Sequence, residues 1–166
     1  SIVGHATLAT GSYPADHGII ADAWLDSESG DKINNIEDIN APILQAADAL
    51  SDNTPASNQA TASGRSPRMM LGTTFSDQLF INTAGRSRVF AVSGKDHGAV
   101  PMAGHMGKAF WFSTDSAEMV TSAYYYDSYP EWVSKWNSQK LPHSYAKTAW
   151  QLSEAREEYL FSEQDN

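Results

Sequence analysis

A serine hydroxyl set just ahead of a short helix, followed by two glycine-closed turns, most restricts how this chain can fold. The segment runs Ser1-Ile-Val-Gly-His-Ala-Thr-Leu-Ala-Thr-Gly11 and continues through Pro14-Ala-Asp-His-Gly18. Residues 2–10 are expected to be helical, with Ala6, Leu8 and Ala9 packing inward and Gly11 closing the helix in the left-handed conformation. Serine is a favoured N-cap, so on pattern alone Ser1 reads as a plain cap before a short buried helix. The same position also faces unpaired N–H groups and the positive end of the helix dipole. Such a place favours a phosphate and a partly ionised nucleophile, and Gly4 permits close approach to the backbone.

Further along, Ile19 to Ile33 reads as a hairpin turning at Asp26–Asp31. Residues 42–50 read as a short helix with Pro42 in its first turn, and residues 51–67, rich in Ser, Thr, Asn, Ala, Gly and Pro, as a surface loop. Thr74-Phe-Ser-Asp77 has the spacing of a capping box with Asp in the usual Glu place, opening a helix to about Ala84. Arg88–Ser93 is a continuous apolar run and reads as a buried strand. Thr73–Ser93 is the best βα-type unit. Gly94 to Gly107 reads as an irregular, active-site-like stretch, and Lys108–Phe112 with Met119–Thr121 as a second hairpin. Pro130 opens a helix with Trp132, Val133 and Trp136 on one face and a Glu131–Lys135 pair on the other. Ala149, Leu152, Ala155 and Tyr159 form a last helical stripe. Helices and strands in alternation place the chain in the α/β class.

The 166 residues fit a single segment of one domain, and 41% hydrophobic content is ample for a core. A net charge of −9 argues against a nucleic-acid polymer as partner, though a local basic spot can still hold a small anionic ester. Without cysteine there is neither a disulfide framework nor a thiolate metal site. No apolar run approaches the roughly 18 residues of a membrane span.

Two blocks in order carry a resemblance to a known family. The first is Ser1–Gly18. The second is Val89-Phe-Ala-Val-Ser-Gly-Lys-Asp-His-Gly-Ala-Val-Pro-Met-Ala-Gly-His105, followed by Lys108–Phe112, Val120–Tyr126 and Pro130–Asn137. Together they resemble the alkaline phosphatase superfamily, on the branch shared by bacterial alkaline phosphatases and type I phosphodiesterases/nucleotide pyrophosphatases. The resemblance covers residues 1–30 and 68–140 and implies part of a sandwich with a mostly parallel sheet flanked by helices, plus small β-hairpins. It implies a hydrolase in which Ser1 takes the phosphoryl group from a small-molecule phosphate ester, giving a phosphoserine that a metal-bound hydroxide then cleaves.

Carried over by position, Ser1 stands for the nucleophilic Thr and Asp22 for an Asn that binds a phosphoryl oxygen. Lys95 matches the Lys of a Lys-Asp-Arg-x-Ala phosphate-binding segment, and His97 takes the place of its Arg. The family works with two divalent metal ions, normally zinc. Of their shell this chain supplies only Ser1, since His5, His17, His97, His105 and His143 form no ligand pair at helical spacing. His5, His17 and His105 read as structural turn or core histidines, and His143 as a surface residue. Trp111, Tyr124, Tyr125 and Tyr126 read as core packing, with nucleotide stacking as the other use.

The start at Ser1 and the missing ligands mark a piece of a larger enzyme, completed by other segments of the parent polypeptide. The resemblance implies a periplasmic or secreted location. The Lys segment favours a monoesterase. A nucleotide phosphodiesterase, an inactive phosphate-ester binding module and an N-terminal-nucleophile enzyme are the other readings. The two departures matter chemically: ionised Asp22 offers only acceptors where Asn offers donors, and His97 lacks the bidentate fork of Arg.

Overall fold

Helix α1 (Ile2–Thr10) ends at Gly11, whose φ of 68° is the left-handed conformation that glycine adopts without strain. The computed structural model describes residues 1–44, 64–146, 148–149 and 151–161. Within it α1 buries Ile2, Ala6 and Ala9, whereas Leu8, expected inward, is exposed. The small alanines let α1 pack on a later helix, α4 (Asp96–Ala103). A single turn, α2 (Pro14–His17), follows α1. His17 is fully buried beneath it. Its Nδ1 accepts from the Ile19 amide at 3.1 Å, so Nε2 carries the proton and donates to Thr7 Oγ1 at 3.0 Å. His17 is thus a satisfied core histidine.

The first hairpin forms as expected, β1 (Ala23–Leu25) pairing antiparallel with β2 (Lys32–Asn34) and Trp24 opposite Ile33. The helix at 42–50 does not begin at Pro42, because Ile43 makes an extended bridge to Ser122. Residues 45–63, which hold the rest of that helix and most of the expected 51–67 loop, lie outside the described residues. The end of that loop is fastened: Ser66 Oγ donates to Asp38 Oδ2 at 2.7 Å, and the Arg65 amide donates to the Ala41 carbonyl at 2.9 Å.

Helix α3 (Phe75–Asn82) opens on the predicted capping box. The Asp77 amide donates to Thr74 Oγ1 at 3.1 Å, and the Thr74 amide donates back to Asp77 Oδ2 at 2.9 Å. Next come β3 (Phe90–Ser93), α4, β4 (Lys108–Ser113) and β5 (Glu118–Val120). They form a sheet in the order β3-β4-β5, with β3 parallel to β4 and β4 antiparallel to β5. The chain is α/β, and its crossover unit is β3-α4-β4, one element later than the Thr73–Ser93 unit read from the sequence.

Gly94 to Gly107 is therefore not irregular, because α4 occupies its middle. Gly98, Pro101 and Gly104 disguise the helix, yet the first two serve its packing. A Cβ on Gly98 would meet Ser93 Oγ at 2.5 Å, so glycine lets the helix lie on the strand. Pro101 is fully buried inside the helix. Strand β3 also differs from expectation. Phe90 and Val92 are exposed while the alternating Ala91 and Ser93 are half-buried, so among the described residues one face of β3 is left uncovered.

The core gathers Ile2, Ala6, Val100, Ala103, Ala109 and Trp111 between α1, α4 and the sheet. Tyr125 is buried against it and meets Tyr124 edge-on at 5.0 Å, the packing role expected for the tyrosine run. Helix α5 (Glu131–Ser138) buries Val133 and sets Trp132 edge-on to Phe110 at 4.9 Å. The last helical stripe is not formed. After α6 (Leu141–Tyr145) the described residues hold only a single 3₁₀ turn, Arg156–Glu158, with Leu152 and Leu160 exposed. An amphipathic stripe becomes a stable helix by burying its apolar face, and the described residues offer this one no surface.

Candidate active site

Two helix N-termini open onto one cleft of about 480 Å³ lined by Ser1, His5, Asp22, Ser93, Gly94, Lys95, His97 and Gly98. Ser1 is the N-cap of α1, and its side chain makes no capping hydrogen bond. Ser1 is exposed, and Gly4 lies beside it without crowding: even a Cβ there would only just touch Ser1 Oγ, at 4.0 Å. Lys95 is the N-cap of α4 and has extended backbone. Its amide donates to Ser93 Oγ at 3.3 Å, which holds the strand-to-helix turn. Both helix ends add their positive dipole ends to the lysine charge.

Asp22 reaches the cleft from the turn before β1. Asn35, itself buried, fixes that turn by donating to the Ala21 and Asp22 carbonyls at 3.1 and 2.9 Å. The carboxylate remains 68% exposed, with Oδ1 4.0 Å from His97 Nδ1. His97 Nε2 lies 4.0 Å from Asp96 Oδ1, so carboxylates flank both ring nitrogens. Asp96 itself turns out of the cleft. It pairs with Arg65 at 2.6 Å and lines a neighbouring depression beside Arg65 and Trp111.

The four residues read from the sequence, Ser1, Asp22, Lys95 and His97, thus line one cleft. Besides Gly94 and Gly98, two lining residues with polar side chains carried no sequence assignment to it. His5 was read as structural, yet it stands one helical turn after Ser1, and that spacing was the available signal. Its Nδ1 is buried and finds no hydrogen-bond partner among the described residues. Ser93 is the other. His105 is structural, with Nδ1 3.1 Å from Asp77 Oδ2 and Nε2 3.1 Å from the Met70 carbonyl. His143 lies on the short exposed helix α6. Among the described residues no group of three or more His, Asp or Glu could hold a metal ion. The described residues alone therefore do not build a two-metal site. No helix among them is long and apolar enough to cross a membrane.

A hydroxyl at one helix start shares the cleft with a lysine at another, an arrangement that can hold an anion beside the hydroxyl in this α/β fold. The chain belongs to the type I phosphodiesterase/nucleotide pyrophosphatase family, whose model matches residues 1–162, and so to the alkaline phosphatase superfamily. It is 32% identical over 163 residues to alkaline phosphatase PhoV of Synechococcus elongatus, covering 98% of this chain and 28% of that protein. It is 32% identical over 168 residues to alkaline phosphatase PafA of Elizabethkingia meningoseptica, covering 99% of this chain and 28% of that protein. The crystal structure of PafA matches with a TM-score of 0.80 and 29% identity over 95% of this chain and 28% of that one. A PafA variant with a threonine, an asparagine, a lysine and an arginine replaced matches at the same TM-score of 0.80 and 29% identity, over 95% of this chain and 29% of that one. The chain thus spans little more than a quarter of the length of these relatives.

Proposed function

We propose that this chain is the nucleophile and phosphate-binding part of a phosphate monoester hydrolase that acts through a phosphoserine. The observation that carries this is the uncapped Ser1 hydroxyl sharing one cleft with Lys95 and His97 at the start of α4. Spacing supports it. In the PafA variant the replaced threonine and asparagine are as far apart in sequence as Ser1 and Asp22, and the lysine and arginine as far apart as Lys95 and His97.

Ser1 Oγ attacks phosphorus in line, the bond from phosphorus to the leaving oxygen breaks, and the departing alcohol takes up a proton. Water then cleaves the phosphoserine and restores the hydroxyl. Lys95 and His97 hold the non-bridging oxygens, which is where phosphoryl transfer gains most from fixed charge. Two divalent ions, of zinc type, belong to this reading as Lewis acids at the reacting oxygens. Ser1 is the ligand that the described residues would offer them, and the others would come from elsewhere in the full-length parent. Export to the periplasm or beyond the cell completes the reading.

The test is acid quenching of the full-length parent during turnover of an aryl phosphate, followed by peptide mass analysis. Phosphate on Ser1 is expected, and phosphate on any other residue overturns the assignment. Binding without turnover would make this a phosphate-ester binding module instead.

A further inference from the structure

We propose, on the reading of Ser1 as the attacking group, that His5 is a positioning residue whose ring sets where Ser1 stands relative to the Lys95 turn. His5 lies one turn into α1, and its amide donates to the Ser1 carbonyl at 3.3 Å, closing the turn that carries the hydroxyl. Its ring lies against the turn from β3 into α4. A Cβ on Gly98 would stand 3.8 Å from His5 Nε2 and 2.5 Å from Ser93 Oγ. Ring and hydroxyl therefore close on the same side of the Gly98 Cα, which has no side chain to keep them off. Ser93 Oγ in turn accepts from the Lys95 amide at 3.3 Å. Contacts thus run from Ser1 through the first turn of α1 and the imidazole to the start of α4.

Space alone does not call for an imidazole here. Nδ1 is buried and has no hydrogen-bond partner among the described residues, a state that costs stability. A phenyl ring would fill about the same volume without that cost. A polar ring kept at the expense of stability points to function rather than packing, and its place says which function. His5, Ser93 and Gly98 are common to two cavities, the Ser1 cleft and a second of about 480 Å³ lined further by Leu8, Phe75, Phe90 and Met102. They form the partition between the site and a mostly apolar space. Nε2 is the nitrogen on the Gly98 side, so it is the polar atom that meets the turn holding Lys95. The divalent ions of the proposed function would take Ser1 Oγ as a ligand, so the placing of that oxygen governs their geometry as well as the attack. His5 needs to touch neither ester nor ion to matter, because misplacing an attacking group by about 1 Å costs on the order of a hundredfold in rate.

The metal-loaded full-length parent is compared with His5→Phe, His5→Gln and His5→Asn. Glutamine sets its amide near the place of Nε2, whereas asparagine reaches only as far as Nδ1. His5→Phe should slow phosphoserine formation from an aryl phosphate, read by acid quench, by at least about tenfold. Inhibition by inorganic phosphate should stay within about threefold of wild type, and the melting temperature should be unchanged or higher. His5→Gln should recover most of the rate and His5→Asn little of it, with metal content by elemental analysis equal in all. A His5→Phe rate within about threefold of wild type overturns the positioning role. So does a lowered melting temperature with parallel losses of rate and phosphate affinity, or a loss of metal that accounts for the lost rate. Should His5→Phe fail to fold, the other two variants decide: equal rates, or recovery by asparagine and not glutamine, overturn the role of Nε2. Phosphate found on Ser1 with a rate indifferent to His5 removes this inference alone. A wild type that carries no phosphate on Ser1 removes the phosphoserine reading as well.

Discussion

Arg65 Nε donates to Asp96 Oδ2 at 2.6 Å, so the residue between Lys95 and His97 is tied to the far side of the α4 start. Asp96 is absent from the lining of the Ser1 cleft, while both its neighbours are present. On the proposed function, the pair orients the segment that holds the phosphoryl group while staying outside the cleft itself. Arg65→Met should raise KM for a phosphate monoester in the full-length parent by about threefold to tenfold, with kcat changed less. The size follows from loosening one charge-assisted contact. Arg65→Lys should restore part of the loss. Equal falls in kcat with KM unchanged, and no rescue by lysine, would refute a positioning role.

A second fixed point lies under α3. Asp77 is buried and accepts from the amides of Thr74, His105 and Met106 at 2.9, 2.8 and 2.8 Å. Burial pushes its carboxyl upward, but the hydrogen bonds from Thr74, His105 and Met106 outweigh burial and hold it below the ordinary value of 3.8. A carboxyl lowered by folding stabilises the fold above its unfolded pKa, and that stability drains away as pH falls through the folded one. Acid titration should therefore destabilise the chain below about pH 4. Asp77→Asn should remove that acid-dependent part and cost roughly 1–3 kcal/mol at neutral pH, from lost acceptors. An unaltered acid limb in melts of the variant would exclude Asp77 as its source.

Gly104 is the backbone side of the same cluster. It has φ of 65°, and a Cβ there would run into Thr74 Oγ1 and both Asp77 oxygens. Gly104→Ala should cost at least about 2 kcal/mol, more than an ordinary exposed Gly→Ala change. A melting shift of less than a degree would contradict the crowding.

How much of this was readable from the residues depends on whether the deciding contact was local. The capping box at Thr74 and Asp77, the Gly11 stop and both hairpins rest on neighbours in sequence, and all formed as expected. Helix α4 was missed because Gly98 and Pro101 look like breakers, whereas Gly98 is there to let the helix touch Ser93 and Pro101 is packed in the core. The stripe from Ala149 to Tyr159 failed for the opposite reason. Its pattern is helical, but the surface that would cover it is not among the described residues. Ser1 was legible because it precedes a helix that the sequence shows, whereas Asp22, Lys95 and His97 were legible only through the family resemblance, since α4 itself went unread. The partnership of Asp22 with His97 was not legible, since it joins a turn before β1 to the first turn of α4, far apart in sequence.

Ser1→Ala separates stability from chemistry. Capping serines commonly contribute about 1 kcal/mol, but Ser1 makes no side-chain capping bond. The substitution should therefore change folding stability by no more than about 0.5 kcal/mol, as for an exposed site. It should also abolish phosphoenzyme formation in the full-length parent, because alanine has no nucleophile to offer. Melting curves and acid-quench trapping check the two halves independently. A large loss of stability would mean that the hydroxyl caps α1 after all. Surviving phosphoenzyme would place the nucleophile elsewhere.

Lys95→Ala tests the cation opposite the nucleophile. Lys95 is exposed at the start of α4, in the cleft that holds Ser1, and its ammonium is a point charge with three donors. A monoester presents one more negative charge at its non-bridging oxygens than a diester does, so it gains more from that charge. Loss of one charge-assisted contact, worth about 1.5–3 kcal/mol, should lower kcat/KM for an aryl phosphate monoester by roughly tenfold to a hundredfold. The matching diester should lose less than about threefold, because its phosphoryl group is singly charged. Rate measurements on the full-length parent with both esters, sharing one leaving group, make the comparison independent of leaving-group chemistry. Equal losses on the two substrates would take Lys95 off the phosphoryl oxygens and leave it as a surface residue capping α4.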